Sequence, residues 1–187
     1  MDISSHAFSK FDKHLSIFKD VPVRFLEVGS YRGVSAQYLL DNFLTHPESH
    51  LDIIEPCHQP SPYSVGDNNK TLIDNLQAYP NVNIITKKSR YMGALEEDTY
   101  DFVYLDGSHK NPFVLEDCIS AFHVLKIGGL CGIDDHSHYF IEVIQNVNIF
   151  TLLYQSYIDI VAVESLDHTP GSIIQLWFRK TKRPLDY

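Results

Sequence analysis

The sequence predicts an α/β protein of three layers, with helices on both faces of a mostly parallel seven-stranded sheet whose last strand is antiparallel. Three observations predict it. Short apolar runs alternate with segments whose apolar residues recur at helical spacing, the signature of βαβ units. Runs such as Asp101-Phe102-Val103-Tyr104-Leu105 are almost continuously apolar, as strands covered on both faces are. The final two runs are joined by about eight residues, Glu164 to Gly171, too few for a helical crossover, so they should pair antiparallel.

In chain order, Phe8, Phe11, Leu15 and Phe18 predict an amphipathic helix over 6–19. Ser4 or Ser5 would cap it, and Asp20-Val21-Pro22 would stop it. Its Phe face must be covered, by the rest of the domain or by a second subunit. Val23–Val28 reads as the first strand, Gly29–Gly33 as a turn and Val34–Phe43 as a helix. Leu51–Ile54 is the second strand, followed by a polar loop over 56–66 with three prolines. Asp67 or Asn68 would cap a helix reaching Tyr79, and Val82–Ile85 is the third strand. After the fourth, Asp101–Leu105, Pro112 opens a helix that Gly128-Gly129 terminates. Leu130–Ile133 is the fifth strand, 138–150 a helix, and Tyr157–Val163 and Ser172–Phe178 the last two strands.

At 187 residues and 44% apolar, the chain can bury one sizeable core, so 1–187 is expected to form a single domain. A net charge of −9 disfavours nucleic acid as a partner. Cys57, Cys118 and Cys131 are odd in number and widely spaced, which excludes a disulfide scaffold and a cysteine zinc site. No basic-then-apolar leader opens the chain and no apolar run approaches membrane-spanning length, so a cytoplasmic protein without a membrane partner is expected. Arg179, Lys180, Lys182 and Arg183 read as the solvated end of a strand, or as a phosphate-binding patch.

In an open parallel sheet, ligands bind beyond the C-terminal strand ends. The first end is Glu27-Val28-Gly29-Ser30-Tyr31-Arg32-Gly33, where Gly29 allows a sharp turn and the following helix aims free N–H groups at a ligand. The second supplies Glu55, 26 residues after Gly29, an acid able to accept both ribose hydroxyls. Together they indicate an adenosine-containing cofactor. The third supplies Ser89 beside Lys87, Lys88 and Arg90. The fourth and fifth bring Asp106, Asp134 and Asp135 toward one cleft, where mutual repulsion calls for a hard divalent cation such as Mg²⁺. Otherwise Asp134 or Asp135 simply caps the next helix. His109 stands where it could take a proton from a substrate hydroxyl near neutral pH, or serve as a local hydrogen-bonding group.

Phe25-Leu26-Glu27-Val28-Gly29-Ser30-Tyr31-Arg32-Gly33 resembles the first motif of class I S-adenosylmethionine-dependent methyltransferases. Tyr104–His109 and Gly128–Asp135 resemble the branch of small metal-dependent O-methyltransferases, catechol-type and macrolide- or aminocoumarin-sugar enzymes among them. The resemblance spans about 22–178 and implies a Rossmann-like methyltransferase fold. It places Glu27 and Gly29 near the methionine of S-adenosylmethionine, Glu55 on its ribose and Ser89 near its adenine. Ser30, Tyr31, Gly33, Asp106 and His109 border the same cofactor, and Asp106, Asp134 and Asp135 ligate Mg²⁺. Catechol-type relatives carry a basic lysine three residues past the first metal aspartate; here that position is His109. His109 replaces it, Lys110 reaches in, or Asp106 serves as base, as in the sugar enzymes. The implied activity is O-methylation of a small sugar or phenol, and the short N-terminal extension leaves the pocket open or completed by the 56–66 loop or by a partner in a homodimer. Two other classes compete: a nicotinamide-dependent oxidoreductase, although no Tyr-x-x-x-Lys pair is present, and a non-catalytic scaffold.

Overall fold

The computed structural model describes residues 4–56, 68–165 and 173–184. The fold is a three-layer α/β arrangement with a mostly parallel seven-stranded sheet of order β3-β2-β1-β4-β5-β7-β6. The chain divides into two compact units, Met1–Lys88 and Ser89–Tyr187. No helix among the described residues is long and apolar enough to cross a membrane.

The first unit holds α1 (Ser4–Leu15), β1 (Arg24–Val28), α2 (Val34–Asn42), β2 (His50–Ile54), α3 (Asn68–Leu76) and β3 (Val82–Ile85). β1 pairs parallel with β2, and β2 with β3. The expected 6–19 helix begins and ends earlier, and a single 3₁₀ turn, Ser16–Phe18, completes it. Its Phe face is covered within the chain. Phe11 and Leu15 are fully buried, and Phe8 stacks on Tyr38 of α2 with ring centroids 4.2 Å apart. The proline-bearing loop lies, apart from Pro56, outside the described residues, as does Cys57.

The second unit holds a 3₁₀ helix (Ser89–Ala94), β4 (Tyr100–Leu105), α4 (Phe113–Val124), β5 (Leu125–Ile133), α5 (Ile141–Tyr154), β6 (Ile158–Ser165) and β7 (Ile173–Lys180). β4 and β5 are parallel; β7 is antiparallel to both β5 and β6, as the short connection requires. Gly128-Gly129 does not end a helix. The two glycines lie inside β5, which starts at Leu125, and its register against β4 shifts between Tyr100 and Phe102. The shift works because a Cβ on Gly129 would stand 2.9 Å from the Lys126 carbonyl oxygen, which only glycine avoids. α5 starts at Ile141, later than expected, with His138 and Tyr139 in the preceding turn. Cys118 and Cys131 are buried free thiols, as their apolar settings predicted.

The basic cluster at the end of β7 is not simply solvated. Lys180 is buried, its Nζ donating to Asp98 Oδ1 at 2.7 Å and to the Leu125 carbonyl at 2.8 Å, 4.7 Å from the Phe122 ring centroid. Burial holds its pKa below the ordinary lysine value. Arg183 pairs with the same Asp98 carboxylate. Removing Asp98 would strand a buried ammonium, so Asp98→Ala is expected to cost about 3 kcal/mol of stability by urea unfolding. A loss under about 1 kcal/mol would show that the pair contributes no more than a surface ion pair.

Candidate functional site

In the first unit the turn after β1 is built around two carboxylates. Gly29 N donates to the Ile54 carbonyl at 3.0 Å, tying the end of β1 to the end of β2. Glu55 follows directly after β2. Its Oε2 accepts from the backbone N–H of Ser30 at 3.1 Å and of Tyr31 at 3.0 Å. The turn passes through left-handed backbone at Tyr31 (φ 51°) and Gly33 (φ 81°). Gly33 is doubly constrained: a Cβ there would also stand 2.9 Å from Leu72 Cδ1 of α3. Glu27, at the end of β1, is fully buried. Its Oε1 accepts from the Ser35 hydroxyl, and its Oε2 has no hydrogen-bond partner among the described residues.

In the second unit, parallel register sets Leu105 of β4 beside Ile133 of β5, so the acids that follow emerge from adjacent strand ends. Asp134 N donates to the Leu105 carbonyl at 2.9 Å. Asp106, His109 and Asp135, each partly exposed, offer one ligand atom apiece within 4.8 Å of one another. His109 Nε2 lies 2.5 Å from Asp135 Oδ2, and its ring stacks on Phe140 at 4.4 Å. Asp135 holds left-handed backbone, φ 54°, which turns its side chain away from the line of β5.

Asp134 points elsewhere. Its Oδ2 accepts from the Tyr104 hydroxyl at 2.5 Å, and its Oδ1 from the Asp135 N–H at 2.9 Å. Tyr104 OH in turn accepts from Gln175 Nε2 at 3.1 Å, and Gln175 Oε1 from Trp177 Nε1 at 3.1 Å. Burial raises the Asp134 pKa; the Tyr104 hydroxyl opposes that rise, and the charge of Asp135 adds to it. Lys110 turns outward to Glu142 Oε2 at 2.8 Å. Ser89 bonds the buried Asp117 carboxyl of α4, whose pKa burial raises to about 6. Asp117 shares a hollow with Asp106, His109 and Asp134. His136 is buried with both ring nitrogens unpartnered among the described residues, and burial lowers its pKa.

Sequence reasoning missed Tyr104, Asp117, Gln175 and Trp177. One signal was present: Gln175 is a lone amide in the apolar run Ile173-Ile174-Gln175-Leu176-Trp177-Phe178, and a buried amide needs partners.

Glu27 yields a test of this burial. Its carboxyl ordinarily titrates at 4.5, and desolvation lifts it to about 7 despite the Ser35 hydroxyl. Between those values the folded state holds a proton that the unfolded chain has released, so stability falls as pH rises through that window. Glu27→Gln removes the penalty. It should melt higher than the parent at pH 8, by up to about 3 kcal/mol, with no difference near pH 4 in thermal unfolding of the ligand-free protein. An equal gain at both pH values would refute the assigned titration.

Residues 26–136 match the family model described as a methyltransferase domain. No curated protein matches the chain by sequence. Among solved structures, a Klebsiella pneumoniae protein provisionally assigned as an O-methyltransferase is similar at TM-score 0.74 and 15% identity, over 97% of this chain and 82% of that one. The N-methyltransferase NodS of Bradyrhizobium japonicum aligns at TM-score 0.67 and 10% identity, over 96% and 97% of the two chains. An rRNA methylase of Streptococcus thermophilus aligns at TM-score 0.66 and 14% identity, over 96% and 95%. Likeness at these identities is likeness of fold. With the family model covering more than half of the sequence, the chain belongs to the methyltransferase-domain family and is a class I S-adenosylmethionine-dependent methyltransferase.

Proposed function

We propose that the protein methylates a hydroxyl of a small molecule, a sugar or a phenol, with help from a divalent cation, Mg²⁺ or another. The observation that carries this reading is the grouping of Asp106, His109 and Asp135 at the ends of β4 and β5. Two carboxylates and an imidazole, with no thiolate, are donors for a hard or borderline cation. The net charge of −9 weighs against the nucleic-acid acceptors that some proteins of this fold carry. The same reading takes 1–187 as one domain working in the cytoplasm.

For the cofactor, Glu27 fits the methionine end: its buried, unpartnered Oε2 is an acceptor awaiting a donor, which an α-ammonium would supply. Gly29, Ser30, Tyr31 and Gly33 form the turn beside it, Glu55 would bind the ribose hydroxyls while holding that turn, and Ser89 would border the adenine. When bound, S-adenosylmethionine would supply the activated methyl group, and a cation held by Asp106 and Asp135 would make an acceptor hydroxyl more acidic, while Asp134, its oxygens accepting from Tyr104 and from the Asp135 N–H, would hold the Asp135 backbone in place rather than ligate. With Nε2–H donating to Asp135, His109 takes the acceptor's proton at Nδ1 and passes it to solvent. Asp135 fixes the imidazole's orientation through the 2.5 Å contact, and Phe140 restrains the ring from its face. Tyr104 keeps Asp134 from swinging. A second reading is favoured by the close approach of all three ligand atoms: His109 is itself a ligand, and Asp106 takes the proton.

Methyl transfer from labelled S-adenosylmethionine to a panel of phenols and sugars, with and without EDTA, tests the reaction. Transfer that EDTA leaves intact would remove the cation. His109→Gln separates the two readings. As the base, it should lower kcat by about 10²–10⁴ with cation affinity retained; as a ligand, it should weaken Mn²⁺ binding by calorimetry as well. Glu55→Ala should weaken S-adenosylhomocysteine binding by about tenfold or more, because a charge-assisted pair of ribose contacts and the turn's anchor go together. Unchanged affinity would place the ribose elsewhere.

A further inference from the structure

α5 is apolar on its buried side and largely apolar on its outer side, where Gln145 and Asn148 are the exposed polar residues. Val143, Val147 and Phe150 form its buried side, with Phe150 5.2 Å from Phe178 of β7. On its outer side Ile141, Ile149, Leu152 and Leu153 are 47–67% exposed. A helix meant to face water usually carries charge there; this outer side has two amides and no exposed charge, with four large aliphatic side chains around them. β6 has the same character. It ends the strand order of the second unit, is eight residues long and contains no Lys, Arg or Pro to discourage pairing. Ile160 and Val163 of β6 pair with Phe178 and Leu176 of β7 and are 46% and 50% exposed. Phe178 is the residue that meets α5, so the two exposed surfaces lie on one side of the sheet and adjoin.

We propose that this surface is the interface of a homodimer, with the outer side of α5 and the β6 edge of one copy meeting the same surface of the next. Charge selects the occupant. The only ionisable acid or base on α5, besides tyrosine, is Glu142, already paired with Lys110, and the exposed charge on β6 is Asp159. A membrane surface would call for lysines and arginines flanking the apolar side, and neither element has one. Two chains of net charge −9 repel over most of their surface and meet at least cost where each is nearly uncharged. Area agrees. The six exposed aliphatic residues present roughly 600 Å², against roughly 800 Å² per partner, about two-thirds of it apolar, in a standard homodimer interface. The same patch on both copies is what a two-fold axis requires. The inference does not rest on the proposed methyl acceptor, and it differs from a dimer through the Phe side of α1, which α2 already covers.

Sedimentation equilibrium of the full chain tests it. The expected mass is twice the 21.5 kDa of one chain. Leu152→Glu and, separately, Val163→Lys should each weaken the dimer by about tenfold or more, with the circular-dichroism spectrum preserved because both side chains are exposed. Hydrogen exchange on the unaltered chain gives the same answer without a variant: β6 amides should slow as protein concentration rises. A single-chain mass at the highest concentration reached, a dimer that survives both substitutions, β6 exchange independent of concentration, or a monomer that instead binds anionic vesicles would each overturn the proposal.

Discussion

A buried hydrogen-bond chain organises the end of the sheet where the acids gather. It runs from the Trp177 indole through Gln175 and the Tyr104 hydroxyl to the Asp134 carboxylate. Each member is a polar group that would be costly in an apolar interior without its neighbour. Because Asp134 is held, the chain direction leaving β5 is held too, and Asp135 must turn through left-handed backbone to continue. That turn is what aims Asp135 at His109. Stacking of Trp177 on Phe102, at 5.5 Å and nearly parallel, braces the start of the hydrogen-bond chain from inside the second unit.

The first unit solves a different problem by related means. A turn with free N–H groups at the head of a helix suits a ligand, yet those groups need partners when nothing is bound. Glu55 takes two of them and so keeps the turn in shape. Glu27 does no such service: it is buried, half satisfied, and pushed toward its neutral form. A group so placed is destabilising for the fold by itself, which is the usual mark of a residue kept for binding.

Architecture does not decide the acceptor. Proteins of this fold include an N-methyltransferase and an rRNA methylase, so specificity must come from side chains at strand ends and from the surfaces around them. In this chain the distinguishing features are the imidazole at 109 beside two carboxylates, the buried Asp117 beneath Ser89, and a large uncharged outer surface on α5 and β6.

The sequence by itself determined the layered sheet, the alternation of strands and helices, and the strand ends that bear Glu27, Glu55, Asp106, Asp134 and Asp135. These follow from hydrophobic period and from turn residues, which are local properties of the chain. It also marked Cys118 and Cys131 as buried and the final strands as antiparallel. Tertiary structure alone decided the rest. Asp134 and Asp135 are neighbours in sequence with the same side chain, yet one faces Tyr104 and the other His109, because the left-handed backbone at Asp135 changes the direction of projection. Lys180 looks like part of a solvated basic tail until β7 carries it inward to Asp98, 82 residues away. The glycines at 128 and 129 read as a helix stop, but Gly128 holds left-handed backbone (φ 89°) inside β5, and Gly129 is needed where a Cβ would press on the Lys126 carbonyl and, once β4 lies alongside, on that of Asp101. Contacts between residues distant in sequence leave no local pattern, and it is those contacts that orient the acids.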